Sequence, residues 1–406
     1  MSGVSVDHVV SVIVLLAAVV LFVGLFDQTL TAAVNYQYNT TTAKECDNLI
    51  DEILLTNAPP LSGAPSWFGM QDSVLATYNL DPFSLMRLDS IAQAPISYQK
   101  TGQTYSAITT SPENYLLYPY SDMITYSTAL GLLGLQSTYG FQLSLTPTVN
   151  VAITEVSTNP LNFSVTARGT GFPLAYATVN YLLIPVSLNG NCPAFETIAG
   201  QMGSIQTNVL GQASKSFSNF HPSQGLTFAF VAFVYLDGVA GIGYYVNSPV
   251  GSQSIIPFLD PLSTMSVTLA NSNDVQLTST NAVSMNYNTT FIFESGNYAF
   301  EETSLASSHS SGSVTSGPGN QPVTLSISSY TPGILVIAYE NTGNNGIVLM
   351  PWGFSSLGFS LKFGGTPINQ GWVATDIRQV EINSVSYQAT LSLWSTQSHG
   401  GFGGIV

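Results

Sequence analysis

Residues 9–26 read VVSVIVLLAAVVLFVGLF, an uninterrupted apolar run with no charged side chain. It holds fourteen Val, Ile, Leu or Phe residues. At about −0.3 to −0.6 kcal/mol each, these favour transfer into a bilayer by roughly −4 to −8 kcal/mol. As a helix rising about 1.5 Å per residue, the run is about 27 Å long, enough to cross a hydrocarbon core. Membrane lipid is therefore the expected partner of Val9–Phe26. A cleaved secretory signal fits poorly, because no Lys or Arg precedes the run and its apolar core is longer than usual. The small-residue stretch Thr31-Ala32-Ala33 keeps that alternative open.

Outward from the run, the helical pattern continues. Gln28 to Val34 contains no breaker, and Cys46, Leu49, Ile50, Ile53 and Leu54 recur at the i, i+3, i+4, i+7, i+8 spacing of one apolar helix face. The pattern predicts one helix from Val4 to Thr56, with a weak point or kink over Asn35 to Thr42, where helix formers are sparse. Asn57-Ala-Pro-Pro60 ends it. The lower half should face lipid, and the upper half should pack its stripe on a head.

The remainder divides by period. After the transmembrane and stalk helix (1–57), residues 58–139 read as a connector with short helices. One starts at Asp81-Pro82 and one is capped by Ser121 over Asp122 to Leu133. From Tyr139 the period becomes two, as in Phe141 to Leu145 and Val149 to Ile153. The expected fold is mainly β with a long N-terminal α-helix: an Ig-like antiparallel β-sandwich over 140–249, then a second β-rich, sandwich-like domain over 257–406. Pro249 to Pro261 reads as a linker, Asn345-Gly346 as a tight reversal, and Ser307 to Gln321 and Gly400 to Gly404 as mobile segments. The strand Phe228 to Tyr235 is apolar throughout and offers an uncovered edge for assembly.

Only 7% of residues are charged while 45% are hydrophobic, so the chain is not disordered and its surface relies on hydroxyls and amides. With 22 acidic against 7 basic residues there is no basic stripe, which argues against nucleic acid as a partner. Positive residues are too few to orient the chain. The polar bulk after the run, with acceptor sequons at Asn39, Asn162 and Asn288, favours an extracellular placement, the chain crossing the cell membrane once. Two cysteines, Cys46 and Cys192, are a candidate disulfide, with two separate thiols as the alternative.

Catalytic chemistry has little to build on. Four histidines stand apart, at positions 8, 221, 309 and 399, and no hydrolase, zinc or phosphate-loop motif occurs. Glu301 and Glu302 are adjacent on a strand, so they point to opposite faces. Asn271-Ser-Asn273-Asp274, Asp237 and Asp260 carry oxygen ligands that would suit calcium, but ordinary turn chemistry explains them. Neither enzyme activity, a metal nor a cofactor is expected.

Two resemblances can be drawn. Gly169-Thr-Gly-Phe-Pro-Leu-Ala-Tyr-Ala-Thr-Val-Asn-Tyr181, followed by Thr207-Asn-Val-Leu-Gly-Gln-Ala213, resembles surface Ig-like modules of the invasin and carboxypeptidase-regulatory types, which implies structure or adhesion. The layout of short leader, Gly3, apolar run, amphipathic helix and β-rich head resembles archaeal type IV pilin-like and membrane-anchored surface proteins. That resemblance implies leader processing at Gly3 and a role for Asp7 in pairing a neighbour's N-terminus, although Ser2 and the position of Asp7 depart from the pilin pattern. The functional expectation is a non-enzymatic, single-pass surface protein acting in adhesion or envelope architecture. The alternatives are a pilin-like subunit forming a homo-oligomer or filament and, less so, a carbohydrate-binding or carbohydrate-active surface protein.

Overall fold

The computed structural model describes residues 3–61, 64–74, 77–89, 94–111, 113–136, 138–189, 192–218, 220, 227–248, 253–260, 265–276, 282–296, 298–303, 305, 310–327, 331–341, 344–367 and 372–396. The stalk is one α-helix, Gly3–Leu55. It is exposed from Asp7 to Gln37, whereas Thr42, Cys46, Leu49, Ile50, Ile53 and Leu54 are buried. The 3.6-residue spacing therefore places the head-facing stripe correctly. The stretch 35–42 stays helical. Thr40, Thr41 and Thr42 donate their hydroxyls back to the carbonyls of Tyr36, Gln37 and Tyr38, a local bond that β-branched hydroxyl residues make inside helices. Beyond Leu55 the chain folds back, and Met70 N donates to Ile53 O at 2.9 Å, satisfying a carbonyl that the terminating helix leaves open.

The connector is richer in strands than its sequence implies. Asp81 caps the short helix Pro82–Leu85, accepting from Phe83 N at 3.1 Å and Ser84 N at 3.2 Å, as Asp before Pro predicts. The second helix, Tyr126–Leu132, is capped by Thr125 rather than Ser121, because Tyr120–Asp122 closes as a separate 3-10 turn. Between them Ile96–Tyr98, Gln103–Thr110 and Tyr115–Pro119 form an antiparallel sheet. Arg87 is almost wholly buried and ties the start of the connector to its later part. Its Nη1 donates to Pro60 O at 3.0 Å and its Nε to Asp122 O at 3.2 Å.

Every pairing between the named strands is antiparallel, consistent with the expected class, but the boundaries differ. Tyr139–Pro147 does not open the sandwich; it pairs with Leu361–Gly364 and Val385–Ser395, which also pairs with Ala374–Ile382. The sandwich begins at Asn150. One sheet orders Gln212–Phe217, Leu161–Gly169 and Asn150–Thr158; the other orders Met202–Gln206, Thr178–Asn189, Thr227–Leu236 and Val239–Asn247. Ile255–Leu259 is a buried strand rather than a linker, and Ser311–Thr315 is a strand rather than a mobile loop. Asn345 and Gly346 lie inside Asn344–Trp352, opposite Glu340 and Tyr339, so the reversal falls before them. A Cβ on Gly346 would sit 2.0 Å from the Tyr339 ring, which is why glycine occupies a strand interior here. Gly400 to Gly404 lies outside the described residues.

Two cores share one wall. In Thr227–Leu236, Phe228, Phe230, Ala232 and Val234 face the sandwich core with Phe163, Tyr181 and Phe217. The alternate residues Ala229, Val231 and Phe233 enter the larger core, which also takes Ile50, Ile53 and Trp352. Thr178–Asn189 divides in the same way, with Val179, Tyr181 and Leu183 on one side and Leu182, Ile184 and Val186 on the other. Burial on both faces, and not an open edge, accounts for the unbroken apolar run, since period-two patterning disappears when neither face meets water. The expectation that Phe228 to Tyr235 is an uncovered edge is thereby overturned: the strand pairs on both sides.

Candidate functional site

The residues singled out by sequence are scattered. Gly3 is the first residue of the helix, and Asp7 and His8 lie exposed just above it. His221, His309 and His399 lie outside the described residues. Asn39 is on the stalk, Asn162 accepts from Ser214 Oγ at 3.0 Å across the sandwich sheet, and Asn288 donates to Pro193 O from a strand paired on both of its edges. Cys46 and Cys192 are free thiols, a correction to the candidate disulfide. Cys46 is buried on the head-facing side of the stalk, its Sγ donating to Leu391 O at 3.6 Å and Ala374 O at 3.8 Å, while Cys192 is exposed on a hairpin of the sandwich. Burial, with Asp376 nearby, pushes the Cys46 thiol up to about 11, so it behaves as a packed apolar group.

Asp274, Asn271 and Asp260, considered for calcium, are already engaged, and Asp237 sits in a turn at φ +47°. Asp274 accepts from Lys100 Nζ at 2.7 Å and from Gly317 N at 2.9 Å, and Asn271 Oδ1 accepts from Asn273 N. Asp260 accepts from Thr268 Oγ1 at 2.7 Å. Glu302 bonds Thr290 rather than facing a second carboxylate. Among the described residues no cluster of three His, Cys, Asp or Glu side chains has metal-binding geometry.

Two features do converge. The first is the stalk junction. Arg378, on Ala374–Ile382, reaches Asp47 of the helix at 2.6 Å, Asp51 at 3.2 Å and Asp376 at 2.5 Å, and Asp51 also accepts from the Tyr78 hydroxyl. The Arg378 guanidinium holds the Asp47 carboxyl below its ordinary value. Because the group is solvated, the pair is screened. Arg378→Ala is expected to lower the unfolding temperature only slightly in low salt and less still in high salt, which thermal unfolding under the two conditions will check.

Acid responses here have opposing signs. Asp47, with a lowered pKa, contributes stability above the unfolded value near about 4, and this is lost as pH falls below it. Burial raises Asp260 and Asp81, so these carboxyls disfavour the fold at neutral pH and cease to do so as they take up protons. The unfolding temperature should therefore be at least as high at pH 5 as at pH 7 and decline below about pH 4, which a calorimetric pH series will check.

The second feature adjoins the first. An open groove of about 320 Å³ is lined by Val149, Thr170, Phe172, Leu174, Val239, Ile377, Arg378, Gln379 and Gln388, among others. It lies at the end of the sandwich formed by the turn segments 170–177 and 207–211. Thr207 locks these segments together: its hydroxyl donates to Leu174 O at 2.6 Å and accepts from Ala177 N at 2.8 Å. Asn208 Oδ1 accepts from Leu210 N and Gln212 N, closing the turn, and Gly211 takes φ +71° where a side chain would strike Ala167 O. These bonds give a physical account of the Thr-x-x-x-Gly-x-Ala pattern. They also hold Phe172, Tyr176, Val209 and Leu210 outward, each 58–60% exposed. Sequence reasoning missed both Arg378 and Phe172, since neither carries a local signal.

Neither protein-family models nor curated proteins match the chain.

Proposed function

We propose that the chain is a single-pass surface protein whose helix carries a β-rich head outside the cell membrane, acting in adhesion or envelope architecture. The supporting observation is the division of one helix: the apolar run is exposed and suited in length to lipid, while the same helix is built into the head's core 20 residues beyond Phe26, at Cys46. The head is thereby held rigidly rather than tethered. Labelling intact cells with a membrane-impermeant maleimide tests this. Exposed Cys192 should react and buried Cys46 should not, and the label should vanish in Cys192→Ser. Labelling that requires permeabilised cells would place the head inside and overturn the reading.

A pilin-like subunit is the second reading, and a specific observation favours it. Leu30 and Val34 lie i, i+4 apart on the stalk above the run, both about half exposed and beyond the stretch that fills the hydrocarbon core. Packing of stalks against copies would cover them, with Asp7 meeting a neighbour's N-terminus after removal of Met1 to Gly3. Intact mass of the purified protein separates the readings: loss of the three residues supports the filament, and retention supports the anchor.

A further inference from the structure

The groove beside the stalk junction has a defined chemistry. Phe172 pairs directly opposite Gly169, and its ring lies across that glycine: a Cβ there would fall 2.8 Å from ring Cζ, with two further ring carbons at 3.0 and 3.2 Å. One part of the ring thus rests on backbone, and the rest remains open to solvent. Thr170 and Gln379 are exposed at the groove, and among the described residues no hydrogen bond engages either side chain. The Arg378 charge is already met by three aspartates, so the groove offers no free cation to an anionic ligand.

An apolar ligand would leave the amide and hydroxyl groups without partners on losing water, at a cost to binding. An anionic ligand would find no free cation, and a cationic one would meet only carboxylates already paired with Arg378. A ligand with both C–H faces and uncharged hydroxyls satisfies every wall, the C–H face lying on the ring and the hydroxyls meeting Thr170 and Gln379. We infer that this groove binds a neutral saccharide unit, with Phe172 as its stacking surface and Gln379 as its hydrogen-bonding partner. The volume is at the lower end of small-ligand sites and suits one or two sugar rings. The inference names the ligand of the adhesive role and rests on that reading for where the ligand is met.

The test uses the full chain in a detergent without a sugar headgroup. Saturation-transfer NMR and titration are run with neutral oligosaccharides of glucose, mannose, galactose and N-acetylglucosamine, and with an oligouronate as charged comparison. At least one neutral oligosaccharide should bind, Phe172→Ala should weaken it at least tenfold, Gln379→Ala severalfold, and Phe172→Tyr should retain it. Gln379 is exposed, so its variant keeps the assay decisive even where Phe172→Ala loosens the strand end. Absence of binding by every neutral oligosaccharide at millimolar concentration overturns the inference. So does unchanged affinity in both Ala variants, or oligouronate binding as tight as the neutral chains. The Cys192 labelling does not depend on this result, so a failed titration leaves the surface placement standing, and failed labelling leaves the ligand assignment standing.

Discussion

Ile50→Asp is expected to lower the unfolding temperature of the whole head by on the order of 10 °C, from a loss of about 5 kcal/mol at roughly 2 °C per kcal/mol. Ile50 has no exposed surface and lies on the helix face that enters the larger core. Truncating such a side chain alone removes about 2–5 kcal/mol, through lost transfer energy and the cavity left behind. A carboxylate there adds a desolvation penalty, and Arg378, the cation of the stalk junction, is already held by three other aspartates. Two comparisons isolate the cause. Ile50→Val keeps the shape and should cost about 1 kcal/mol, while Leu55→Asp, at a position 38% exposed near the helix end, should change little. Thermal unfolding followed by circular dichroism gives all three. Equal midpoints for Ile50→Asp and Leu55→Asp would mean that the helix only leans on the head and contributes nothing to its core.

The legibility of this stripe has a physical basis. A helix reports its buried face through spacing within a few turns, so Cys46 to Leu54 could be read without knowing what covers them. Sheets do not report their partners. Tyr139–Pro147 alternates as cleanly as the strands after it, yet it pairs with Val385–Ser395, more than 230 positions away, and no local pattern carries that choice. Thr227–Leu236 shows a second limit: an all-apolar strand reads alike whether it is an open edge or a wall between two cores. Composition misled at Ser311–Thr315, where Gly312 leaves room for the Tyr287 ring in the opposing strand and the segment pairs despite its loop-like residues. The candidate site was the least legible part. Arg378 meets Asp47 and Asp51 across more than 320 positions, and Phe172 is one aromatic residue beside a proline until Gly169 is seen beneath it.

A double change within the run, Leu16→Arg with Val20→Arg, is expected to abolish membrane association while leaving the head's unfolding temperature unaltered. Arginine near a helix centre costs about 2.5–3.5 kcal/mol on the insertion scale, where Leu or Val contributes about −0.3 to −0.6. The two substitutions therefore swing transfer by roughly 6–8 kcal/mol, enough to cancel the whole favourable term of the run. They sit i, i+4 on one face, so one arginine cannot reach an interface by a route open only to it. Both positions are well exposed, and the head's buried seam begins more than 20 residues further on, so the run and the head's core are separate parts of the helix. Flotation with liposomes and thermal unfolding, measured on the same preparation, make the comparison. Retained flotation would show that something other than this run holds the protein to lipid, and a fall in the unfolding temperature would show that the run is covered by the head itself.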